Sequence, residues 1–520
     1  MSETLTYETM GKRQRDFIML GLAVALFAAC FDGTVTSTCG PIIAAQFAAT
    51  DLLPWLTTGY LLMETVTIPL SGKLSDLYGR KKLLIVGLIL FGIASLVAGF
   101  ATNMWLMIIA RALQGAGGGI LIPVATAAVS DLYPPEERGK IQGALGALFG
   151  IGMGLGPLIG GSFASLGDLG FMHGWQFAFL INIPVVLFVI FVCRHEFPSV
   201  AADRNPVIDF RGSLLLSGAL ILLVFYFQMV GKQFDIVSIP SLIYLFVILM
   251  VLRLFSHVES KVDEPLIAPH IFENPSVKYA SILLFLLGFA MVGDELFMGM
   301  YLQKITGHTA VEAGMFILIM VAGMIISSTA GGALLNRTGT KPWIVVGPIL
   351  MCAGFFMFSL ITTEFDAVIF SVSEFLFGLG AGCLLASLMV AVQNSCDHSE
   401  VGMTTSAVTL MRNIGSTTGT SVLTLIVNAA IYQEAIENPP LDNLADAGIG
   451  ILDHLGEFGG AMDGLIKSVF TDGVATAFGF AAIALLFATY LGFKFKVVKV
   501  SQTAEIKAFE KELTKDNSNH

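Results

Sequence analysis

Residues 72–82 read Gly72-Lys73-Leu74-Ser75-Asp76-Leu77-Tyr78-Gly79-Arg80-Lys81-Lys82. This polar, basic stretch lies between two long apolar runs, one beginning near Pro54 and the next near Leu83. A second stretch repeats its spacing, because Gly332, Asn336, Gly339 and Lys341 stand at the offsets of Gly72, Asp76, Gly79 and Lys81. Each stretch follows the second apolar run of a block of six, so the chain reads as a duplicated membrane unit. Two similar bundles can rock about a site at the bilayer midplane, which is a transporter arrangement.

Working outward, the 520 residues are 55% hydrophobic and 13% charged, where a soluble protein carries roughly a quarter charged residues. Crossing a hydrocarbon layer about 30 Å thick takes ~20 apolar residues. Fourteen such runs begin near Phe17, Pro54, Leu83, Met104, Ile141, Trp175, Ser213, Ile236, Val277, Glu312, Trp343, Phe365, Gly402 and Lys467. The expected fold is an all-α polytopic membrane protein with 14 transmembrane helices. It comprises a tail at 1–16, a six-helix bundle at 17–196, two inserted spans at 197–275, a second six-helix bundle at 276–495 and a tail at 496–520. The first run is too long for a cleaved signal peptide and contains Asp32, so it is expected to stay as a span.

Lys and Arg favour the cytoplasmic side of short loops. They fall in the amino-terminal tail (Lys12, Arg13, Arg15), in alternate loops (Arg80 to Lys82, Arg138, Lys140, Arg194, Arg204, Arg211, Arg253, Lys261, Lys278, Arg337, Lys341) and from Lys494 onward. Opposite loops hold almost none beyond Lys232 and Lys304. Both termini are therefore expected in the cytoplasm, with the chain in the cell membrane. The segment 433–466 carries Glu434, Glu437, Asp442, Asp446, Asp453, Glu457 and Asp463 without a Lys or Arg. With Ile449, Ile451, Leu452, Leu455 and Phe458 it reads as an acidic external hairpin resting on the outer mouth, the alternative being a solvated spacer.

The net charge of -11 resides chiefly in loops and termini, and no basic patch points to nucleic acid. Six cysteines in or beside spans show neither metal-ligand spacing nor a disulfide framework, so neither a metal nor a cofactor is expected. There is no phosphate-cradling Gly-x-x-x-x-Gly-Lys-Ser/Thr run, and uphill transport would have to draw on an ion gradient. Enzyme motifs are missing too: Gly293-Asp294 lacks the first glycine of a Gly-x-Gly-Asp protease signature, and neither His-Glu-x-x-His nor Gly-x-Ser-x-Gly occurs.

Several motifs together resemble, along nearly the whole chain, the fourteen-span drug:proton antiporter branch of the major facilitator superfamily, the multidrug and quaternary-ammonium type exporters. Residues 72–82 resemble its loop between spans two and three, Arg111-Ala-Leu-Gln114-Gly115-Ala-Gly117 its span-four motif, and Asp32-Gly-Thr34 the Asp-x-Thr of span one. Gly150, Gly154, Gly156, Pro157, Gly160 and Gly161 fall in a stretch similar to the span-five antiporter motif. Trp175 to Pro184, and Pro265-Leu266 with Phe272 and Asn274, are further branch markers. The resemblance implies an exporter, acting as a monomer on a small-molecule substrate in the lipid bilayer and driven by protons. It also implies a cytoplasmic latch of Gly72, Asp76, Gly79 and Arg80, in which Arg80 meets Asp131 and Asp76 faces the start of a helix from the second half; the alternative is a plain topology-setting loop. The chain departs from the branch at Thr36-Ser-Thr-Cys39-Gly-Pro41, at Asn336 in place of an acid, and at Glu64 and Asp294-Glu295.

An ionised side chain at the centre of a span costs about 2.5–3.5 kcal/mol, so each embedded charge needs a reason. Asp32 is the first choice for proton coupling, against the alternative of a fixed ion pair with Arg111, which otherwise supports the proton site. Asp294, close to the repeat equivalent of Asp32, is the candidate second proton or cation site unless it lies at the outer mouth. Glu64, Glu295, Glu374 and Arg412 are candidates to line the substrate cavity; Asp294 and Glu295 lie ~100° apart on a helix and cannot face one spot. In span five the small residues at Gly146, Gly150, Gly154 and Gly156 allow close helix approach and Pro157 kinks the span, making a pivot. The functional expectation is a proton-coupled antiporter for small amphipathic, cationic or lipophilic compounds. A lipid or metabolite exporter on the same fold is the alternative.

Overall fold

The computed structural model describes residues 10–167, 170, 172–197, 209–230, 233–262, 264–397, 400–437, 441, 448–452, 455–456 and 460–496. Fourteen long helical segments succeed one another: α1 Lys12–Gln46, α2 Leu53–Tyr78, α3 Arg80–Gly99, α4 Met104–Leu132, α5 Pro135–Ser165, α6 Gly174–His195, α7 Phe210–Met229, α8 Ile239–Glu259, α9 Pro275–Ile305, α10 Ala310–Thr338, α11 Lys341–Phe358, α12 Ala367–Gln393, α13 Val401–Glu437 and α14 Gly460–Lys494. Among the described residues there is no β-strand. Thirteen of these segments are long and apolar enough to cross a membrane. The fourteenth, α2, has the length, but Thr57, Thr58, Thr65, Thr67 and Glu64 dilute its apolar character.

Polar residues punctuate this apolar chain. Side chains of Asn103, Asp209, Ser238, Asn274, Thr309 and Asp366 accept hydrogen bonds from the first turns of α4, α7, α8, α9, α10 and α12, which satisfies amide donors that have no partner within the helix. The repeated loop has its own device: α2 stops at Gly79 with φ 88° and α10 at Gly339 with φ 74°. Only glycine adopts that backbone cheaply, which explains why the second glycine of the motif occurs in both halves.

α1–α6 and α9–α14 each pack as a bundle, and α7 with α8 stands between them in sequence. The second bundle is knit by aromatic rings, with Phe355 stacked on Phe377 at 4.6 Å and edge-on to Phe478 at 4.9 Å. The inserted helices join at Tyr226, whose hydroxyl lies 3.0 Å from Ser241, and Ser421 of α13 donates to the Phe227 carbonyl at 2.6 Å. Leu242, Phe246 and Leu249 of α8 point outward, as a lipid-facing surface requires.

The helices run beyond the expected spans at several ends. α1 begins five residues before Phe17 because its polar first turns dock on neighbouring helix ends: Gln14 donates to the Glu196 carbonyl at 2.9 Å, and Asp16 accepts from the Tyr133 hydroxyl at 3.0 Å. α13 continues to Glu437 and α14 starts at Gly460, so helix takes up both ends of the acidic segment 433–466. Between them Leu441, Ile451 and Leu452 are buried in the second bundle's core, and Asn428 accepts from the Ile449 amide at 2.9 Å. Asp442, Asp446, Asp453, Glu457, Phe458, Arg204, Lys232 and the outer parts of both tails lie outside the described residues.

Candidate functional site

Asp32 on α1 and Arg111 on α4 are both completely buried and paired, Arg111 Nη1 donating to Asp32 Oδ2 at 2.5 Å. The other carboxylate oxygen accepts from Asn182 Nδ2 at 2.8 Å and Gln114 Nε2 at 3.1 Å. Gln114 also donates to Ser95 at 2.9 Å, so α4 and α6 reach the α1 carboxylate directly and α3 braces it through Gln114. Arg111 donates through Nη2 to the Asp32 carbonyl at 3.1 Å and lies 4.4 Å over the Tyr60 ring. A buried charge pair is tolerable when its remaining donors and acceptors are also satisfied, and this one is. Sequence reasoning quoted Gln114 and Asn182 only as members of family-like motifs and did not single out Ser95; the further signal was that each is a polar residue deep in an apolar run.

Glu64 and Arg412 come from opposite halves. Glu64 on α2 is 6% exposed and Arg412 on α13 is 8% exposed, and the two lie within electrostatic reach beside Asn413. The guanidinium stands 4.5 Å over the ring of Phe149 on α5. Cation, carboxylate and aromatic face thus come from three helices at the junction of the bundles.

Asp294 and Glu295 on α9 and Glu374 on α12 make a third group. Asp294 and Glu295, with Met153, Pro157, Met291, Ile317 and Met320, line a cavity between α5, α9 and α10. Glu374 lies deeper, within electrostatic reach of Asp294. Asp294 is 3% and Glu374 0% exposed, yet Asp294 Oδ1 and both Glu374 carboxylate oxygens have no hydrogen-bond partner.

At the end of the bundle where α2 turns into α3, Arg80 Nε donates to Asp131 Oδ2 at 2.5 Å, and its guanidinium pairs with Asp76 at 3.1 Å. Asp76 in turn accepts from the amides of Gly402 at 3.2 Å and Met403 at 2.8 Å. These amides open α13, where a helix end favours an anion. Gly72 sits against the same turn, where an added Cβ would come within 2.6 Å of the Gly402 carbonyl oxygen. A second tie joins the halves nearby: Arg138 donates to Asn394 at 2.9 Å, and Gln142 to Gln393 at 3.1 Å. Asn336, the departure in the second repeat, donates through its amide to the Glu136 carbonyl at the start of α5.

The glycines of α5 divide between two faces. Gly139, Gly143, Gly146, Gly150 and Gly154 lie against Leu335, Ser328, Met324 and Val321 of α10, in the other half. Gly152, Gly156 and Gly160 lie against Phe27, Phe31 and Val35 of α1. Gly161 has ordinary contact with Thr38, and Pro157 borders the acid-lined cavity.

Comparison with known proteins agrees with this architecture. The profile of the Major Facilitator Superfamily matches residues 22–420. The chain is 33% identical over 418 residues to the multidrug transporter protein MdtP of Bacillus subtilis, covering 80% of this chain and 76% of that one. It is 31% identical over 442 residues to multidrug resistance protein 3 of the same organism, covering 85% of each. Among solved structures, the major facilitator proton:xylose symporter XylE superposes with a TM-score of 0.64 at 14% identity, over 94% of this chain and 97% of that one. A profile spanning most of the sequence, relatives alike over most of their length and the shared two-bundle fold lead to one conclusion: the chain belongs to the Major Facilitator Superfamily.

Proposed function

We propose that the chain is a monomeric, proton-coupled antiporter that exports small amphipathic compounds, cationic or lipophilic, across the cell membrane by alternating access, with both termini in the cytoplasm. The multidrug transporters it resembles support export, and the Lys and Arg distribution supports the orientation. The observation that carries the reading is that a buried acid, Glu64, and a buried cation, Arg412, are supplied by opposite halves and lie within electrostatic reach of each other. A proton taken up by Glu64 from the outer side would neutralise it and release Arg412, freeing the halves to open to the cytoplasm, where the proton leaves and the pair re-forms as the cytoplasmic side closes. Rocking and proton uptake are thereby one event. The bundles 17–196 and 276–495 are the moving bodies, and the ties through Asp76 and Arg138 close the cytoplasmic side. Their release lets cargo in from the cytoplasm.

One proton crossing about 100 mV yields roughly 2.3 kcal/mol, and each tenfold proton gradient adds about 1.4 kcal/mol. The test is ethidium uptake into everted vesicles energised by a pH gradient. Uptake that stops when nigericin collapses the gradient, and that falls at least tenfold in Glu64→Gln, supports the reading. Uptake indifferent to nigericin would refute it.

A further inference from the structure

The inserted helices bring two acids together, away from the sites described above. Asp209 caps α7, and its Oδ1 accepts from the amides of Arg211 at 3.0 Å and Gly212 at 2.9 Å. Glu259, the last residue of α8, accepts through Oε2 from the Ile267 amide at 3.3 Å. Each carboxylate is thus pinned to the backbone by one oxygen. The other oxygen of each, Asp209 Oδ2 and Glu259 Oε1, is buried and has no hydrogen-bond partner among the described residues. Glu259 as a whole is 2% exposed.

Both free oxygens face one small space. An ideal Cβ on Gly212 would lie 2.5 Å from Glu259 Oε1 and closer still to Asp209 Oδ2, so the two oxygens stand less than 5 Å apart, and a side chain at 212 would crowd both. Asp209 also borders a cavity of about 40 Å³ with Ser213, Lys73 and Glu264, walled by leucines of α2. At ~10–15 Å³ for each water, that is room for about three. Ser213 donates to the Asp209 carbonyl at 2.7 Å, which leaves the lone pairs of its own oxygen free. Lys73 is taken by Glu264 at 2.5 Å, and the Glu264 side chain is 35% exposed, so the cavity is reached from water. Arg211 beside it is exposed.

Two buried carboxylates this close cannot both stay ionised unless something positive stands between them. The start of α7 favours negative charge at this spot. Carboxylate, hydroxyl and water are the donors of a hard cation, and magnesium in particular is held by one or two carboxylates while keeping several waters. We infer that Asp209 and Glu259 bind one divalent cation of the magnesium class, with Ser213 and water completing its shell and Gly212 leaving the space that admits it. The ion staples the start of α7 to the end of α8. Leu216 and Leu220 of α7 and Leu266 after α8 pack with Val66 and Ile68 of α2, so the stapled pair stands as a strut against the first bundle. The site is independent of what the protein exports.

The test uses the purified full-length chain in detergent, stripped of metal with EDTA, and Mn2+ as the probe, whose free form gives a paramagnetic resonance signal that binding removes. The proposal expects one Mn2+ per chain, released by excess Mg2+. Asp209→Asn, Glu259→Gln and Gly212→Ala should each weaken binding at least tenfold, while Glu312→Gln at the exposed start of α10 changes it less than twofold. Asn caps a helix as well as Asp does, so Asp209→Asn keeps α7 started, and circular dichroism checks that the variants fold. Mg2+ should raise the thermal unfolding midpoint of wild type and leave that of Asp209→Asn/Glu259→Gln unmoved. A wild type that takes up no Mn2+ at millimolar concentration overturns the proposal, the two acids then sharing a proton. A loss of less than tenfold in either acid variant overturns it too, by placing the ion elsewhere, and Mn2+ that excess Mg2+ does not release overturns the class of ion.

Discussion

Replacing Asp76 by Asn tests the tie between the α2–α3 turn and the start of α13 with little change in shape. The carboxylate accepts from the Gly402 and Met403 amides at 3.2 and 2.8 Å. Hydrogen bonds to a charged acceptor contribute about 1.5–3 kcal/mol, and neutral ones about 0.5–1.5. Losing the charge from two such bonds, which are not additive, therefore weakens the tie by about 2 kcal/mol. At 1.4 kcal/mol per tenfold, that raises the ratio of cytoplasm-open to cytoplasm-closed molecules roughly 30-fold. The pairing of Arg80 with Asp131 at 2.5 Å survives the substitution, which keeps the loop folded. The reporter is a single cysteine at Thr126→Cys in a background lacking the six native cysteines. The Thr126 carbonyl accepts from Gln142 and Gln393, between the halves. Labelling by a membrane-impermeant maleimide in everted vesicles, which present the cytoplasmic face, should quicken at least tenfold in Asp76→Asn. A change of less than threefold would refute the account of Asp76 as an anion holding the start of α13.

Two further outcomes follow from packing. Arg111→Met leaves the buried Asp32 without its cation, which costs about 3–5 kcal/mol; adding Asp32→Asn should recover at least half of that in thermal unfolding of the purified protein, and a double variant no more stable than the single would show that the two residues are not coupled. Gly143→Leu drives a side chain into the Ser328 carbonyl and the Gly332 backbone of α10, an overpacking cost of about 1–3 kcal/mol, with transport lost. Gly218→Leu on α7, where nothing lies within 4 Å of an added Cβ, should unfold within about 0.5 kcal/mol of wild type.

The span count was legible because length and apolarity are local properties, and even the thinly apolar α2 shows as a run from Pro54. The repeat was legible because Gly79 and Gly339 each meet a backbone requirement that no other residue meets cheaply. Partnership was not. That the Asp32 oxygens are satisfied by Asn182 and Gln114 depends on how α6 and α4 rotate about their axes, which the low amphipathicity of membrane helices leaves open. The facing of Arg138 and Asn394 is a contact between residues 256 positions apart, and no spacing rule reaches that far. That Glu374 stands close to the counterpart of Arg111 was only partly within reach of the sequence: each is seven residues from the start of its helix, at Met104 and Ala367, but from the apolar runs at Met104 and Phe365 the offsets are seven and nine. It is hidden by the change of sign, since a repeat is sought by likeness and an acid does not look like the copy of an arginine.

The two glycine seams of α5 have a mechanical consequence. Helices that meet through interlocking side chains move past each other in jumps, because ridges must leave one set of grooves and enter the next. Along α5, bare backbone meets α1 on one side and α10 on the other, so displacement there is nearly frictionless. The stopping points of the swing are then set at its ends, by the polar clasps, and hardly at all by the fulcrum.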